Sequence, residues 1–366
     1  MATTRAMVTY EPGKMEMREF PLPEIGADDG ILKVELVGVC GSDPGIFKGK
    51  ASRAPRPYPL ILGHEIVGRI HRAGEGALAR WGVAEGDRVI VEYAFGCGQC
   101  AACRAGRYTI CEKMLCYGSM VSCAEPPHLF GAYADYLYLP ARAMVHRIGD
   151  DFDPEVAVVT GAVLGNAVRW LSRIGGLKLG MACAIVGPGQ QGMAATLVAA
   201  ESGAQPILVA GLKRDAKRLE LCQRFGATHI ACVDQEDPAA IMAAATGGNL
   251  AQVVMDVSGH PAGAATALSL AGTGAAVVLP GLYGANTQVP LLLDRAVFKE
   301  LRLLGAYSQD FESVEAAIGL ARSTKAPLKE MISHRFPLEK AEDAVRLVAG
   351  EGGGEPPLKV VLDPSL

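Results

Sequence analysis

A thiol, an imidazole and a carboxylate fall within one short stretch of this chain. Cys40 lies in Gly38-Val39-Cys40-Gly41-Ser42-Asp43. His64 and Glu65 lie in Leu62-Gly63-His64-Glu65-Ile66-Val67-Gly68. Cysteine sulfur and histidine nitrogen are the donors that a borderline-soft ion such as zinc favours. The glycines at 38, 41, 63 and 68 permit tight turns and close backbone approach, and Pro55, Pro57 and Pro59 stiffen the loop between the two halves. The spacing by itself is a weak signal, because a free cysteine is commonly a plain core residue.

A second group is more specific. Cys97-Gly98-Gln99-Cys100-Ala101-Ala102-Cys103 is followed by Cys111. Four thiolates in a compact loop can close a tetrahedral shell around zinc and leave no open position, which makes a structural site rather than a catalytic one. A redox pair and an iron–sulfur cluster are the chemical rivals. Cys116 and Cys123, just beyond, read as ordinary thiols.

A third group is a glycine pattern in a telling context. The apolar run Ala182–Val186 leads at once into Gly187-Pro188-Gly189-Gln190-Gln191-Gly192 and a helical stretch, Met193–Gly203. Strand, glycine turn and helix together form the dinucleotide-binding fingerprint. Gly187 makes the turn, Gly189 admits a pyrophosphate, and Gly192 lets helix and strand pack closely. Gln190 and Gln191 open the helix, whose free N–H groups would receive the phosphates. The next strand, Pro206–Ala210, ends Ala210-Gly211-Leu212-Lys213-Arg214, with no acid for a ribose 2′-hydroxyl. Two cations stand there instead, which leans the reading toward NADP over NAD. Asp215 partly offsets them, and both could be plain solvated charges.

These groups need a scaffold. At 366 residues the chain is long enough for about two domains, and half of it is hydrophobic. Its net charge of −4 is dispersed, with no basic stripe to support nucleic-acid binding. The N-terminus lacks the apolar core of a signal peptide, and no apolar run is long enough to span a membrane. The chain therefore reads as soluble and cytoplasmic, its ten cysteines thiols or metal ligands.

The first part is strand-rich: Ala6–Tyr10, Lys14–Phe20, Ile31–Val39, Ile66–Ala73, Asp87–Glu92 and Phe130–Leu139. His71 reads as a plain strand residue. Residues 114–129 read as an exposed, irregular loop. Past Phe152 helices and short strands alternate, as in a parallel sheet covered on both faces. Glu155–Arg173 reads as a helix with a break at Gly161. Six strands, the last at Leu301–Gly305, suit a doubly wound sheet. Ser258-Gly259 and Pro280-Gly281-Leu282 fall at strand ends, where such sheets bind ligands. From Tyr307 the chain is expected to return to the first domain.

In this order, the three groups resemble the zinc-dependent medium-chain alcohol dehydrogenases, and most of all their sorbitol and threonine dehydrogenase branch. The resemblance covers nearly the whole chain. It implies an α/β fold: a β-rich GroES-like catalytic domain over 1–157 and 307–366, with a structural-zinc lobe at about 96–127, and a Rossmann domain over 158–306. It implies that Cys40 and His64 ligate a catalytic zinc, with Glu65 either supporting the ligands from behind or standing as an alternate ligand. Ser42 would hold the substrate oxygen and pass on its proton, and Asp43 would orient His64. Cys97, Cys100, Cys103 and Cys111 would hold a structural zinc, which argues against the iron–sulfur rival. Gly187, Gly189 and Gly192 would carry the cofactor pyrophosphate, and Tyr93 would stand in the pocket wall. Members of the branch are commonly homo-tetramers, sometimes dimers.

Two departures from the family stand out. Where a third zinc ligand is usual, this chain has Thr160, in Val159-Thr160-Gly161-Ala162, and a neutral hydroxyl is a poor zinc ligand. Where a relay histidine is common, it has Pro44-Gly45-Ile46. The leading expectation is zinc-dependent hydride transfer between NAD(P) and a secondary alcohol or polyol, or the matching ketone. A zinc-independent NADPH-dependent reductase on the same fold, and a non-enzymatic nucleotide-binding protein, are the alternatives.

Overall fold

The segment Gly30–Val39 is rich in valine, isoleucine and leucine, and buried at nearly every position. Such a run extends readily and needs a partner on each edge. In the computed structural model, which describes residues 2–50, 56–284, 286–351 and 353–366, it has both. Glu65–Ala73 lies antiparallel along one edge, and Tyr136–Leu139 and Lys359–Asp363 share the other. The sheet runs on through Arg88–Val91 to Val145–Arg147 and, at the opposite side, to Ile332–Pro337. A smaller sheet of Lys14–Pro21, Thr3–Glu11 and Leu60–Ile61 shares its core. The register sets Gly38 opposite Glu65 and Val39 opposite Val360, so three strands meet just ahead of Cys40.

The chain divides into two compact units. One is Met1–Ala162 with Gln309–Arg322 and Leu328–Leu366; the other is Val163–Ser308 with Ser323–Pro327. In the second unit six strands form an all-parallel sheet. They are β1 (Cys183–Val186), β2 (Ile207–Gly211), β3 (His229–Cys232), β4 (Ala251–Asp256), β5 (Ala271–Leu279) and β6 (Arg302–Gly305). Their order is 3-2-1-4-5-6, the arrangement of doubly wound dinucleotide-binding sheets. Alternating apolar strands and helices give this result because each crossover must return on the same hand.

Three expectations are corrected. Residues 114–129 are not an exposed loop: Leu115–Cys116 pairs with Ala94–Phe95, and Tyr117, Cys123 and Leu129 are buried. Nor is Phe130–Leu139 a single strand. Only Tyr136–Leu139 joins the ladder, because Ala132 and Tyr133 bond instead to Gly63 and Leu62. Gly161 does not break its helix. Pro154–Val159 continues into a wider turn at Thr160–Leu164, and a Cβ on Gly161 would stand 2.6 Å from Ile90 Cγ2. Glycine is there for close approach rather than for termination.

One polar chain runs through the first unit. Tyr108 donates to Glu92, Glu92 faces His146 Nε2 at 3.0 Å, and Glu315 faces His146 Nδ1. Phe311 stacks on the imidazole at 4.4 Å. Both ring nitrogens face carboxylates, an arrangement that a doubly protonated imidazole answers in full. Burial disfavours that charge, but the hydrogen bonds to Glu315 and Glu92 outweigh it and raise the His146 pKa. A raised histidine pKa contributes stability that is complete below the unfolded value and lost as pH rises through the folded one. Urea unfolding of wild type and His146→Gln should therefore show a stability gap that is wide near about pH 6 and narrows by about pH 9. A gap of constant width would contradict this.

Candidate active site and metal centres

Strand Gly30–Val39 delivers Cys40 to the start of a short helix, Asp43–Phe47. Asp43 turns inward and is fully buried. Its Oδ2 accepts from the Cys40 amide at 2.8 Å and from the Tyr133 hydroxyl at 3.0 Å. Its Oδ1 faces His64 Nδ1 at 3.4 Å, and neither atom has a well-formed hydrogen bond among the described residues. Burial pulls the His64 pKa down, but Asp43 and Cys40 outweigh it and hold it well above the ordinary histidine range. The Tyr93 ring lies 5.6 Å from the imidazole.

Ser42, just ahead of this helix, is exposed, and its hydroxyl makes no capping bond. The segment Pro44-Gly45-Ile46 offers no imidazole; Ile46 is buried and its carbonyl is held by Tyr58. Pro55 lies outside the described residues.

Glu65 is held by an ammonium. Its Oε2 pairs with Lys359, whose ammonium also donates to Val39 O at 3.1 Å, and both side chains are buried. Gly38 makes this possible: a Cβ there would stand 2.0 Å from Glu65 Oε2 and 2.8 Å from Lys359 Cε. Among the described residues, the only group of three or more His, Cys, Asp or Glu ligand atoms drawn together is the four-cysteine set. Glu65 is paired here with Lys359, as a buried carboxylate in reach of an ammonium is expected to be. Thr160 is also engaged, its hydroxyl donating to Val156 O at 2.7 Å. Cys40 and His64 remain as soft donors beside a buried carboxylate. A thiol and an imidazole are donor types that zinc accepts, and a catalytic zinc ordinarily has a third protein ligand as well.

The sulfurs of Cys97, Cys100, Cys103 and Cys111 lie within 4.8 Å of one another. Cys97 and Cys103 are 4.0 Å apart, and Cys100 and Cys111 are 3.7 Å apart. A Zn–S bond of about 2.3 Å sets tetrahedral sulfurs about 3.8 Å apart, so the four fit one zinc and are too close for a multi-iron cluster. Backbone amides prepare the site. Gln99 and Cys100 donate to Cys97 Sγ, and Cys103 donates to Cys100 Sγ. Those bonds pull the Cys97 thiol down to about 6, whereas burial pushes Cys103 up to about 12.

In the second unit the fingerprint glycines lie at the carboxyl end of β1. Gly187 has φ +99°, and a Cβ there would stand 2.8 Å from Ser258 N. Gly192 packs its helix against the strand, since a Cβ would sit 1.9 Å from Gly187 O. A Cβ on Gly189 would meet nothing within 4 Å, so the approach to the N-terminus of helix Gln190–Glu201 is open. That opening at a helix N-terminus fits a pyrophosphate. Gln190 and Gln191 form the first turn, and Gln191 Oε1 is buried without a partner among the described residues. Gly211 ends β2, where a Cβ would stand 2.7 Å from Pro188 Cγ. Lys213 and Arg214 follow, both exposed. Asp215 caps Leu212 N and pairs with Arg218, so it is turned away from them.

Sequence reasoning missed Tyr133 and three further participants. Asp234 accepts from the Lys213 amide at 3.0 Å. Asp256, fully buried at the end of β4, accepts from Ser258 N at 2.9 Å and from the Tyr283 hydroxyl at 2.7 Å, joining the Ser258 and Gly281 loops. Lys359 is the third. An acid at a strand end was a usable signal for Asp256; nothing local marked Lys359, which lies far from Glu65 in sequence.

Known proteins match this geometry. Residues 26–150 match the family described as alcohol dehydrogenase GroES-like domain, and residues 192–323 match the zinc-binding dehydrogenase family. The chain is 40% identical to "Probable alcohol dehydrogenase adh" of Mycobacterium tuberculosis H37Rv, covering 99% of each chain. It is 32% identical to an L-threonine 3-dehydrogenase of Bacillus licheniformis, over 97% of this chain and 96% of that one. Among solved structures it is similar to a zinc-binding dehydrogenase of Sinorhizobium meliloti 1021 bound to NADP. There the identity is 26%, with full coverage of both chains and a TM-score of 0.87.

The buried ion pair yields a direct test. Lys359→Met leaves the Glu65 charge unanswered and should cost about 3–5 kcal/mol in denaturant unfolding, much of it restored by adding Glu65→Gln. A loss below about 1 kcal/mol would show that the pair is not what holds Glu65.

Proposed function

The chain belongs to the zinc-dependent medium-chain alcohol dehydrogenase family, and from that premise we propose that Cys40 and His64 hold its catalytic zinc and that it acts on a secondary alcohol or polyol, or the matching ketone. The observation that carries the reading is the meeting of Cys40, His64 and Asp43: a thiol and an imidazole beside a buried carboxylate whose free oxygen faces the ring. Bound there, zinc supplies a Lewis acid that lowers the pKa of a substrate hydroxyl, and the nicotinamide supplies the hydride acceptor or donor. Ser42 accepts the substrate's hydroxyl proton and hands it to water, because residues 44–46 offer no imidazole. Asp43 keeps the His64 ring oriented. Glu65, neutralised by Lys359, fixes the strand ends from which Cys40 and His64 project. Cys97, Cys100, Cys103 and Cys111 hold a second, structural zinc.

Gly187, Gly189, Gln190, Gln191 and Gly192 cradle the pyrophosphate in this reading, while Gly211, Ser258 and Gly281 border the cofactor. NADP is preferred over NAD. Lys213 and Arg214 are exposed with Asp215 turned away, which leaves two cations for a 2′-phosphate. The chain works in the cytoplasm; among the described residues no helix is long and apolar enough to cross a membrane. It assembles as a homo-oligomer, dimer or tetramer. Helix Leu293–Phe298 has no buried residue, Phe298 is 84% exposed, and β6 forms a sheet edge. One observation favours a zinc-independent reductase instead: Glu65 and Thr160 are both engaged elsewhere, which leaves two protein donors.

A panel of secondary alcohols and polyols, assayed by formation of reduced nicotinamide, tests the proposal. Turnover is expected, with kcat/KM about tenfold higher for NADP+ than for NAD+. Lys213→Ala combined with Arg214→Ala should erase that preference, and His64→Ala should lower kcat on the order of a thousandfold. Turnover undiminished in His64→Ala would favour the zinc-independent reading. No turnover on any substrate would contradict both.

A further inference from the structure

The Tyr133 hydroxyl has no part in the chemistry described above, yet it is buried against the centre of the site. Tyr133 lies in the segment that leaves the regular ladder: Ala132 N donates to Gly63 O at 3.0 Å and Tyr133 N donates to Leu62 O at 2.9 Å. These bonds draw the ring onto the turn immediately before His64. Gly63 has φ +92°, and a Cβ there would stand 2.5 Å from Tyr133 Cδ1. The ring therefore packs on the peptide that carries His64, while its hydroxyl reaches the carboxylate that faces the same imidazole.

The ring's apolar contacts do not require that hydroxyl. Phenylalanine would fill the space, whereas a buried phenol needs a partner. The partner is Asp43, which is itself fully buried and needs donors. Asp43 Oδ2 receives two, the Cys40 amide at 2.8 Å and Tyr133 at 3.0 Å. With Oδ2 pinned from two directions, the rotation of the carboxylate is fixed. Oδ1 is then left facing His64 Nδ1 at 3.4 Å. An imidazole whose Nδ1–H is directed at a carboxylate keeps Nε2 as its free lone pair.

We propose that Tyr133 is a positioning residue for the catalytic metal centre. Together with the Cys40 amide it pins Asp43, and through Asp43 it sets the orientation in which His64 offers Nε2. The inference rests on the reading of Cys40 and His64 as ligands. It adds that a hydroxyl distant in sequence from both tunes how firmly that site holds its metal. Tyr133 acts through Asp43 and touches neither substrate nor cofactor.

The test is equilibrium competition for zinc between the purified enzyme and a chromogenic chelator, with wild type, Tyr133→Phe, Asp43→Asn and the double variant. In Tyr133→Phe one zinc should be held about tenfold more weakly. The zinc of the four-cysteine site should be unchanged and serves as an internal control for folding. In the Asp43→Asn background the same tyrosine change should have little further effect, because the two act as one unit. Equal affinity in wild type and Tyr133→Phe would overturn the proposal. So would equal weakening of both zincs, the mark of a purely structural role, or an undiminished tyrosine effect without the Asp43 carboxylate. A wild type that holds only the four-cysteine zinc would overturn the ligand reading, and this inference with it. The affinity comparison and the wild-type stoichiometry thus separate the two failures.

Discussion

Two carboxylates have to stay buried where strand Gly30–Val39 ends, and the surrounding structure answers them. Asp43 takes the Cys40 amide and the Tyr133 hydroxyl; Glu65 takes the Lys359 ammonium. Tyr133 and Lys359 come from distant parts of the chain, so the demand for donors draws these parts together. Leaving either charge unanswered would cost several kcal/mol, a large share of a domain's net stability. Gly38 and Gly63 are the positions where a side chain would block the approach. The pairs hold both carboxylates in place at the strand end from which Cys40 follows.

The two cysteine-containing centres use opposite logic. In the four-cysteine lobe, the sulfurs stand at tetrahedral spacing and backbone amides already point at them. A closed shell of that kind holds an ion for its structural effect. Beside Cys40 and His64 the other donors that sequence offered are engaged: Thr160 bonds to its own helix and Glu65 to Lys359. In the proposed reading, a zinc held there would keep a position open for a substrate oxygen.

Local signals made much of this legible in the sequence. Close cysteine spacing marked the lobe, and a strand, glycine turn and helix marked the nucleotide unit, because each is built from residues near one another in the chain. The alternation of strands and helices implied the sheet whose order is 3-2-1-4-5-6. Long-range partners escaped. Lys359 and Tyr133 meet Glu65 and Asp43 only through strand register and a loop that bonds back on Gly63. The pairing of Glu65 escaped for the same reason, since its partner Lys359 lies in the last strand of the chain. Residues 114–129 were misread because their composition is loop-like, although Tyr117 and Leu129 are buried.

The most direct test of the account is zinc content per chain, by elemental analysis of wild type and Cys40→Ser purified without added metal. The account predicts about two zinc ions in the wild type and about one in the variant, the remaining ion held by the four cysteines. About one in both would contradict it, since Cys40 and His64 would then hold no resident metal.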